Sequence, residues 1–218
     1  YINHSLKELN DFFYVDALSL LTAQIVTVVG FAAALYSIGY MDEELHEAEF
    51  PEKRLRWYYF LFHIFIFTML AVCVANNLGI MWVAIEATTL STTFLVGFYN
   101  KRSHQEAAWK YIIICTVGIT LALFGVILTY HSSKNVVGEI GHALNWTDLL
   151  AVADRFEPHT MKLAFLFIVI GYGTKAGLAP MHTWLPDAHS QAPSPISALF
   201  SGVLLNCSLY GIIRFHII

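Results

Sequence analysis

At 218 residues, 57% hydrophobic and only 13% charged, the chain has about half the charge density of an ordinary soluble domain, which excludes a water-soluble globular protein. Sixteen acidic against twelve basic residues leave a formal charge of -4, so the chain lacks the basic surface that nucleic acid requires. Cys73, Cys115 and Cys207 stand singly in separate apolar runs, a spacing that predicts small core residues and no disulfide framework or metal site.

A helix that crosses a bilayer needs about 20 apolar residues, and the chain offers blocks of that length in order. The first, residues 12–38, follows a polar start without a basic n-region or small-residue cleavage site, which argues against a removable signal peptide. Asp16, near its start, is placed to favour the helix dipole. The acidic run 42–52 then reads as a solvated loop. The second block (57–75) and the third (78–98) are joined by Asn76-Asn77, a tight hairpin. His63 in the second has no companion histidine at comparable depth, so it is expected as a hydrogen-bonded core residue and not as a haem ligand. A fourth block covers 107–130. A polar loop, 131–160, leads to a fifth that starts near Met161, and a sixth occupies 195–213.

The expected fold is therefore an all-α polytopic membrane protein, a bundle of about six transmembrane helices within one transmembrane domain spanning 1–218. Starting on Tyr1 and stopping four residues after Arg214, the chain is expected to be a fragment of a longer protein. Lys53, Arg54, Arg56, Lys101 and Arg102 lie close to the ends of spans on one side, whereas Lys7, Lys134, Arg155, Lys162 and Arg214 on the other are spread into a long loop. The first group is expected on the cytoplasmic side of the inner membrane.

Ionisable residues inside the blocks are the informative ones, because a charge near the bilayer centre costs several kcal/mol. Glu86, in MWVAIEATTLST, falls about 12 Å into the layer, and Lys175, in FLFIVIGYGTKAGLAP, about 18 Å, near the midplane. Pairing favours the charged form of both, so an acid that moves toward or away would make Lys175 take up or release a proton. The static alternative is an ion pair that only fixes helix packing. Lys110 lies three residues into the fourth block, where its stem can reach the interface beside Trp109.

The fifth block then breaks. GYGTKAGLAPMHTWLPDAHSQAPSP crowds Pro180, Pro186, Pro193 and Pro195 around His182, Asp187 and His189. Proline removes a donor, and irregular backbone in lipid persists only inside protein or beside a hydrated cavity. A discontinuous helix, interrupted between about 177 and 186 and forming a polar pocket of His182, Asp187 and His189, is expected.

The run GTKAGLAPMHTWLPDAHSQAPSPISALFSGVLLNCSLYGIIRFH, with MWVAIEATTLSTTFLVGFY and EAAWKYIIICTVGITLALFG, resembles the antiporter-like proton-translocating membrane subunits of complex I, multisubunit cation/proton antiporters and membrane-bound nickel-iron hydrogenases. Within that family it most resembles the formate hydrogenlyase group. The resemblance implies the first of two inverted repeats, with Glu86 paired to Lys175 and Lys110 as a further relay lysine. Where complex I relatives carry a lysine or histidine after the break, this chain has Ser201 and Asn206. Neither titrates; Asn206 is suited to ordering water, and the substitution favours the hydrogenase branch.

The partners implied are other membrane subunits, a soluble hydrogenase or dehydrogenase arm, the lipid bilayer and protons. No cofactor is expected on this chain, since it has neither an iron-sulfur cysteine cluster nor a glycine-rich phosphate loop. Redox catalysis is expected on other subunits. A non-conducting anchor and a cation/proton antiporter subunit are the alternative functions, although Glu86 alone makes a poor sodium site.

Overall fold

Asp16 opens the first long helix, α1 (Ala17–Ala48), its Oδ1 accepting from the Ser19 backbone N–H at 2.8 Å in an N-cap. The helix continues well past residue 38, where the spans predicted a solvated loop. Residues 41–48 are mostly good helix formers, and Asp42 pairs with His46 at 3.9 Å one turn on. The coordinates, a computed structural model, describe residues 6–8, 12–48, 51–134, 136–137 and 142–218. The side chain of Lys7 and the end of the acidic run at 49–50 lie outside the described residues.

Helix α2 (Glu52–Val74) turns into α3 (Leu78–Val96) through the predicted hairpin. Asn77 caps α3 by accepting from Gly79 N–H at 3.0 Å and Ile80 N–H at 3.3 Å, while buried Asn76 donates to Thr147 Oγ1 at 3.1 Å. Helix α4 (Arg102–Ser133) follows, then a short α5 (Trp146–Ala151) and a single 3-10 turn (Ala153–Arg155) within the expected loop. Two strands, β1 (Leu6–Glu8) and β2 (Phe13–Val15), pair antiparallel ahead of α1, a small addition to the all-α expectation.

Glu157 caps α6 (Pro158–Lys175), accepting from His159 N–H at 3.1 Å and Thr160 N–H at 2.6 Å, with Pro158 at the first helical position. The helix ends at Lys175 through a Schellman motif. Gly177 takes a φ of +73°, its N–H donates to Thr174 O at 3.2 Å, and Leu178 N–H donates to Gly173 O at 2.9 Å. The interruption therefore spans 176–183, and Gly177 marks its start. Pro186 is not part of it. It sits in the first turn of α7 (Trp184–Gln191), where backbone N–H groups lack intrahelical partners in any case, so proline is tolerated. The chain resumes as α8 (Ser194–Leu199), a π-helical turn (Phe200–Leu204) and α9 (Leu205–His216), which together make one rod.

The result is an all-α membrane bundle. Among the described residues, five helices are long and apolar enough to cross a membrane: α1 to α4 and the α8–α9 rod. Helix α6 forms the first half of the discontinuous helix. Phe31, Phe67, Phe94 and Trp109 point outward, as a lipid-facing surface requires. The three cysteines are free and buried, as their settings predicted. His63 departs from expectation: it is exposed, and Nδ1 bonds the Tyr59 carbonyl of its own helix at 2.7 Å, which satisfies the ring without a core position.

Helix α6 lies unusually close to α4 because small residues meet at the contact. A Cβ on Gly171 would stand 2.6 Å from both Ala122 Cβ and Gly118 O, and one on Gly118 would stand 2.6 Å from Thr174 Cβ. This backbone approach sets the position of Lys175 against α4.

Candidate functional site

Lys175 ends α6 with no exposed surface, at the helix terminus whose free carbonyls favour a cation. Its Nζ donates to Thr89 Oγ1 of α3 at 2.9 Å and to the hydroxyl of Tyr111 of α4, and lies 4.7 Å from the Tyr111 ring centroid. Having accepted from the lysine, the Tyr111 hydroxyl pairs with Thr92 Oγ1 at 2.7 Å, and Thr92 donates to Thr88 O at 2.6 Å. Three buried side chains thus form one directional hydrogen-bonded chain. Trp184 closes the site from α7. Its indole N–H donates to the Thr174 carbonyl at 2.9 Å, and its ring centroid is 4.9 Å from that of Tyr111. That carbonyl, which also accepts from Gly177 N–H, thus has two donors.

Glu86 does not bond Lys175 directly. Thr89, three residues on and therefore on the same face of α3, takes the lysine instead. The Glu86 side chain sits one turn away, facing the hydroxyls of Thr89 and Thr116, with Oε2 buried and unpartnered.

Lys110 also differs from the simple snorkelling expectation. Its exposed Nζ bridges Glu106 Oε1 at 2.9 Å and Asp187 Oδ2 at 3.0 Å, tying the start of α4 to α7. The expected pocket of His182, Asp187 and His189 is divided. Two residues along a helix is about 200° of rotation, so Asp187 faces Lys110 while His189 faces away and pairs with Ser197 Oγ at 2.7 Å. His182 lies in the interruption and is exposed.

His189 instead borders a polar cavity of about 830 Å³ that is also lined by Tyr40, Glu44, Lys101, His104 and Ser197. The cavity lies at the end of the bundle where α1 meets the α3–α4 turn, bridged by the 2.8 Å bond between the Tyr40 and Tyr99 hydroxyls. Ser201 and Asn206 are exposed on the α8–α9 rod and bond their own helix, Ser201 to Ser197 O at 3.3 Å and Asn206 to Gly202 O at 2.8 Å.

Tyr111, Thr89 and Thr92 were not singled out by sequence. The available signal was the cluster of hydroxyls in ATTLSTT, where Thr88, Thr89 and Thr92 recur at helical spacing inside an otherwise apolar span. Among the described residues, no three His, Cys, Asp or Glu side chains are gathered so as to hold a metal ion.

Fold and site together define a polytopic helical membrane protein with a discontinuous helix that ends on an enclosed lysine. The chain belongs to the family described as NADH:quinone oxidoreductase/Mrp antiporter, TM, which matches residues 75–218. The family described as NADH-Ubiquinone oxidoreductase (complex I), chain 5 N-terminus, matches residues 8–50.

A hydrogenase-4 component F homolog of Methylacidiphilum infernorum is 45% identical over 95% of this chain and 44% of its own length. Hydrogenase-4 component B of Escherichia coli is 30% identical over 92% of this chain and 27% of its own. The Na(+)/H(+) antiporter subunit A1 of Staphylococcus haemolyticus is 31% identical over 92% and 23%. The chain spans less than half the length of these curated relatives. Its fold is shared with a chain of the archaeal membrane-bound sulfane sulfur reductase, with a TM-score of 0.79 at 23% identity over 97% of this chain and 40% of that one. A chain of Thermus thermophilus respiratory complex I gives 0.73 at 22% identity over 96% and 42%.

Proposed function

We propose that this chain is the first repeat of a proton-translocating membrane subunit in a redox-driven complex of the nickel-iron hydrogenase type. In this reading α6 and α7 act as one broken crossing, the fifth in chain order, which brings the bundle to six. The complex sits in the inner membrane with the polar cavity on the cytoplasmic side, and a soluble hydrogenase arm supplies the energy. The hydrogenase branch is supported by the 45% identity to a component F homolog.

One observation carries the mechanism: Lys175 is fully buried, its ammonium bonds only neutral hydroxyls, and a carboxylate oxygen stands unpartnered one turn away. An uncompensated charge in a dry site is costly unless its protonation can change. Lys175 is the carrier. Glu86 stabilises its loaded form through space, Tyr111 and Thr92 orient its donors, and Lys110 with Asp187 stands at the outer end of α4.

The test is proton uptake by vesicles containing the whole complex, measured together with redox turnover. Lys175→Met fills similar apolar volume, and is expected to abolish uptake while the complex still assembles. Normal uptake by that variant would overturn the relay and leave a non-conducting anchor.

A further inference from the structure

Two polar networks approach each other in this molecule, and each ends against the same phenyl ring. The outer network is the cavity of about 830 Å³, which ends on the His189–Ser197 pair. The inner one is the Lys175–Tyr111–Thr92 chain. Phe200, with no exposed surface, touches a member of each. The His189 ring meets it edge to face, with centroids 5.7 Å apart and planes at 88°. The Tyr111 ring stacks on it at 5.9 Å and 26°, and Phe65 closes a further side at 6.0 Å. A proton moves along hydrogen bonds, and a phenyl ring offers neither a donor nor an ordinary acceptor.

The backbone at this point is also unlike its surroundings. Phe200 is the first residue of the π-helical turn, and its carbonyl accepts from Leu205 N–H, five residues on, where an α-helix would use a four-residue step. Such a turn carries one extra residue, and its return to α geometry would rotate Phe200 relative to Tyr111.

We propose that Phe200 is an apolar plug that separates the His189 cavity from Lys175, and that the π turn it begins is the element that moves it. The proposal rests on the relay reading of Lys175 and names the point at which access to that lysine is controlled. With Phe200 in place the cavity can fill with water while the Lys175 site stays dry. With the ring displaced, water joins His189 to the Tyr111 hydroxyl.

The experiment measures resting proton permeability of vesicles containing the whole complex under an imposed pH gradient, without redox substrate. Phe200→Ala is expected to raise permeability about tenfold or more, the factor for each 1.4 kcal/mol or so taken off a barrier. Because loss of a buried ring threatens assembly, Phe200→Tyr is measured in parallel: it keeps the ring and adds a hydroxyl, and is expected to leak in the same direction. Adding Lys175→Met to either variant is expected to return permeability to the wild-type level, which a merely loosened bundle would not do. Wild-type permeability in both Phe200 variants, or a leak that persists with Lys175→Met, would overturn the plug. Either result leaves the relay intact if Lys175→Met alone still stops uptake during turnover, whereas normal uptake by Lys175→Met defeats the relay itself.

Discussion

Asp16 and Arg214, 198 positions apart, are joined by two parallel bonds, Nη1 to Oδ2 at 2.8 Å and Nη2 to Oδ1 at 2.6 Å. The guanidinium also donates through Nε to the Tyr210 hydroxyl at 2.9 Å and through Nη2 to Ser19 Oγ at 2.7 Å, and lies 4.4 Å from the Trp146 ring. Trp146 in turn donates to the Arg214 carbonyl at 2.8 Å. One arginine thus binds the start of α1, the end of α9 and the α5 segment, at the end of the bundle away from the polar cavity.

Arg214→Ala is expected to destabilise the bundle toward the lower end of the roughly 3–5 kcal/mol typical of breaking a buried pair, since the Asp16 side chain is 25% exposed. Arg214→Lys recovers only part, because an ammonium cannot make the fork. Thermal unfolding of the detergent-solubilised complex, compared among the three, checks the order.

The same pair predicts an acid limb. Burial pushes the Asp16 carboxyl up, but the bonds from Arg214 and Ser19 outweigh it and hold the group below its usual value of 3.8. A depressed folded value means the pair's contribution is complete above the unfolded value and is lost as pH falls through the folded one. Stability should therefore be flat near neutrality and fall below pH 3.8, and Asp16→Asn should remove that part of the slope. Unfolding midpoints measured across that range provide the check.

Trp184→Phe keeps an aromatic ring beside Tyr111 but removes one of two donors to the Thr174 carbonyl, which still accepts from Gly177 N–H. The expected cost is about 0.5–1.5 kcal/mol, that of one hydrogen bond. Proton uptake should fall as well, because the lost bond joins α7 to the last turn of α6. A variant as stable as wild type would show that Gly177 N–H alone suffices for that carbonyl.

Much of this was legible beforehand, for identifiable reasons. Local signals set the spans: apolar length, the Asn76-Asn77 hairpin and the run of prolines after Lys175. Burial of Lys175 followed from its depth. The start of the break near Gly177 was read correctly, but its end was misread because proline is the louder signal, although Pro186 is tolerated in the first turn of α7. Asp16 was read as favouring the dipole of α1, whose N-cap it proves to be; its second partner lay at the far end of the chain, where no local pattern reaches. Glu86 and Lys175 were expected in contact, yet which hydroxyl on α3 receives the lysine depends on how close Gly118 and Gly171 let α4 and α6 come.

That closeness yields a further prediction. Gly171→Ala would place a Cβ 2.6 Å from Gly118 O, a backbone atom that cannot turn aside. The helices must separate, at a cost of about 1–3 kcal/mol. Because Lys175 lies one turn along the same helix, its bonds to Thr89 and Tyr111 should lengthen, and protons moved per redox turnover should fall. Gly39→Ala, where a Cβ meets nothing within 4 Å, is the control and should change neither quantity.

Lys110 supplies the remaining case. Its two carboxylate partners differ in kind: Glu106 is one turn back on the same helix, whereas Asp187 belongs to α7, beyond the break. All three side chains are largely in contact with solvent, so neither pair should contribute appreciably to stability. Any large effect on proton movement must then come from the charges themselves. Asp187→Asn removes the link to α7, and Glu106→Gln removes only the link within α4. If Lys110 serves the relay through the broken helix, Asp187→Asn should lower proton uptake as strongly as Lys110→Met, the double variant should add nothing, and Glu106→Gln should have little effect. If Lys110 is only an interfacial lysine, all three variants should pump normally at unchanged melting temperature. Uptake per redox turnover in vesicles, measured for the four variants, separates these outcomes, and independent, additive losses from Lys110→Met and Asp187→Asn would show that the 3.0 Å pair is not a functional unit.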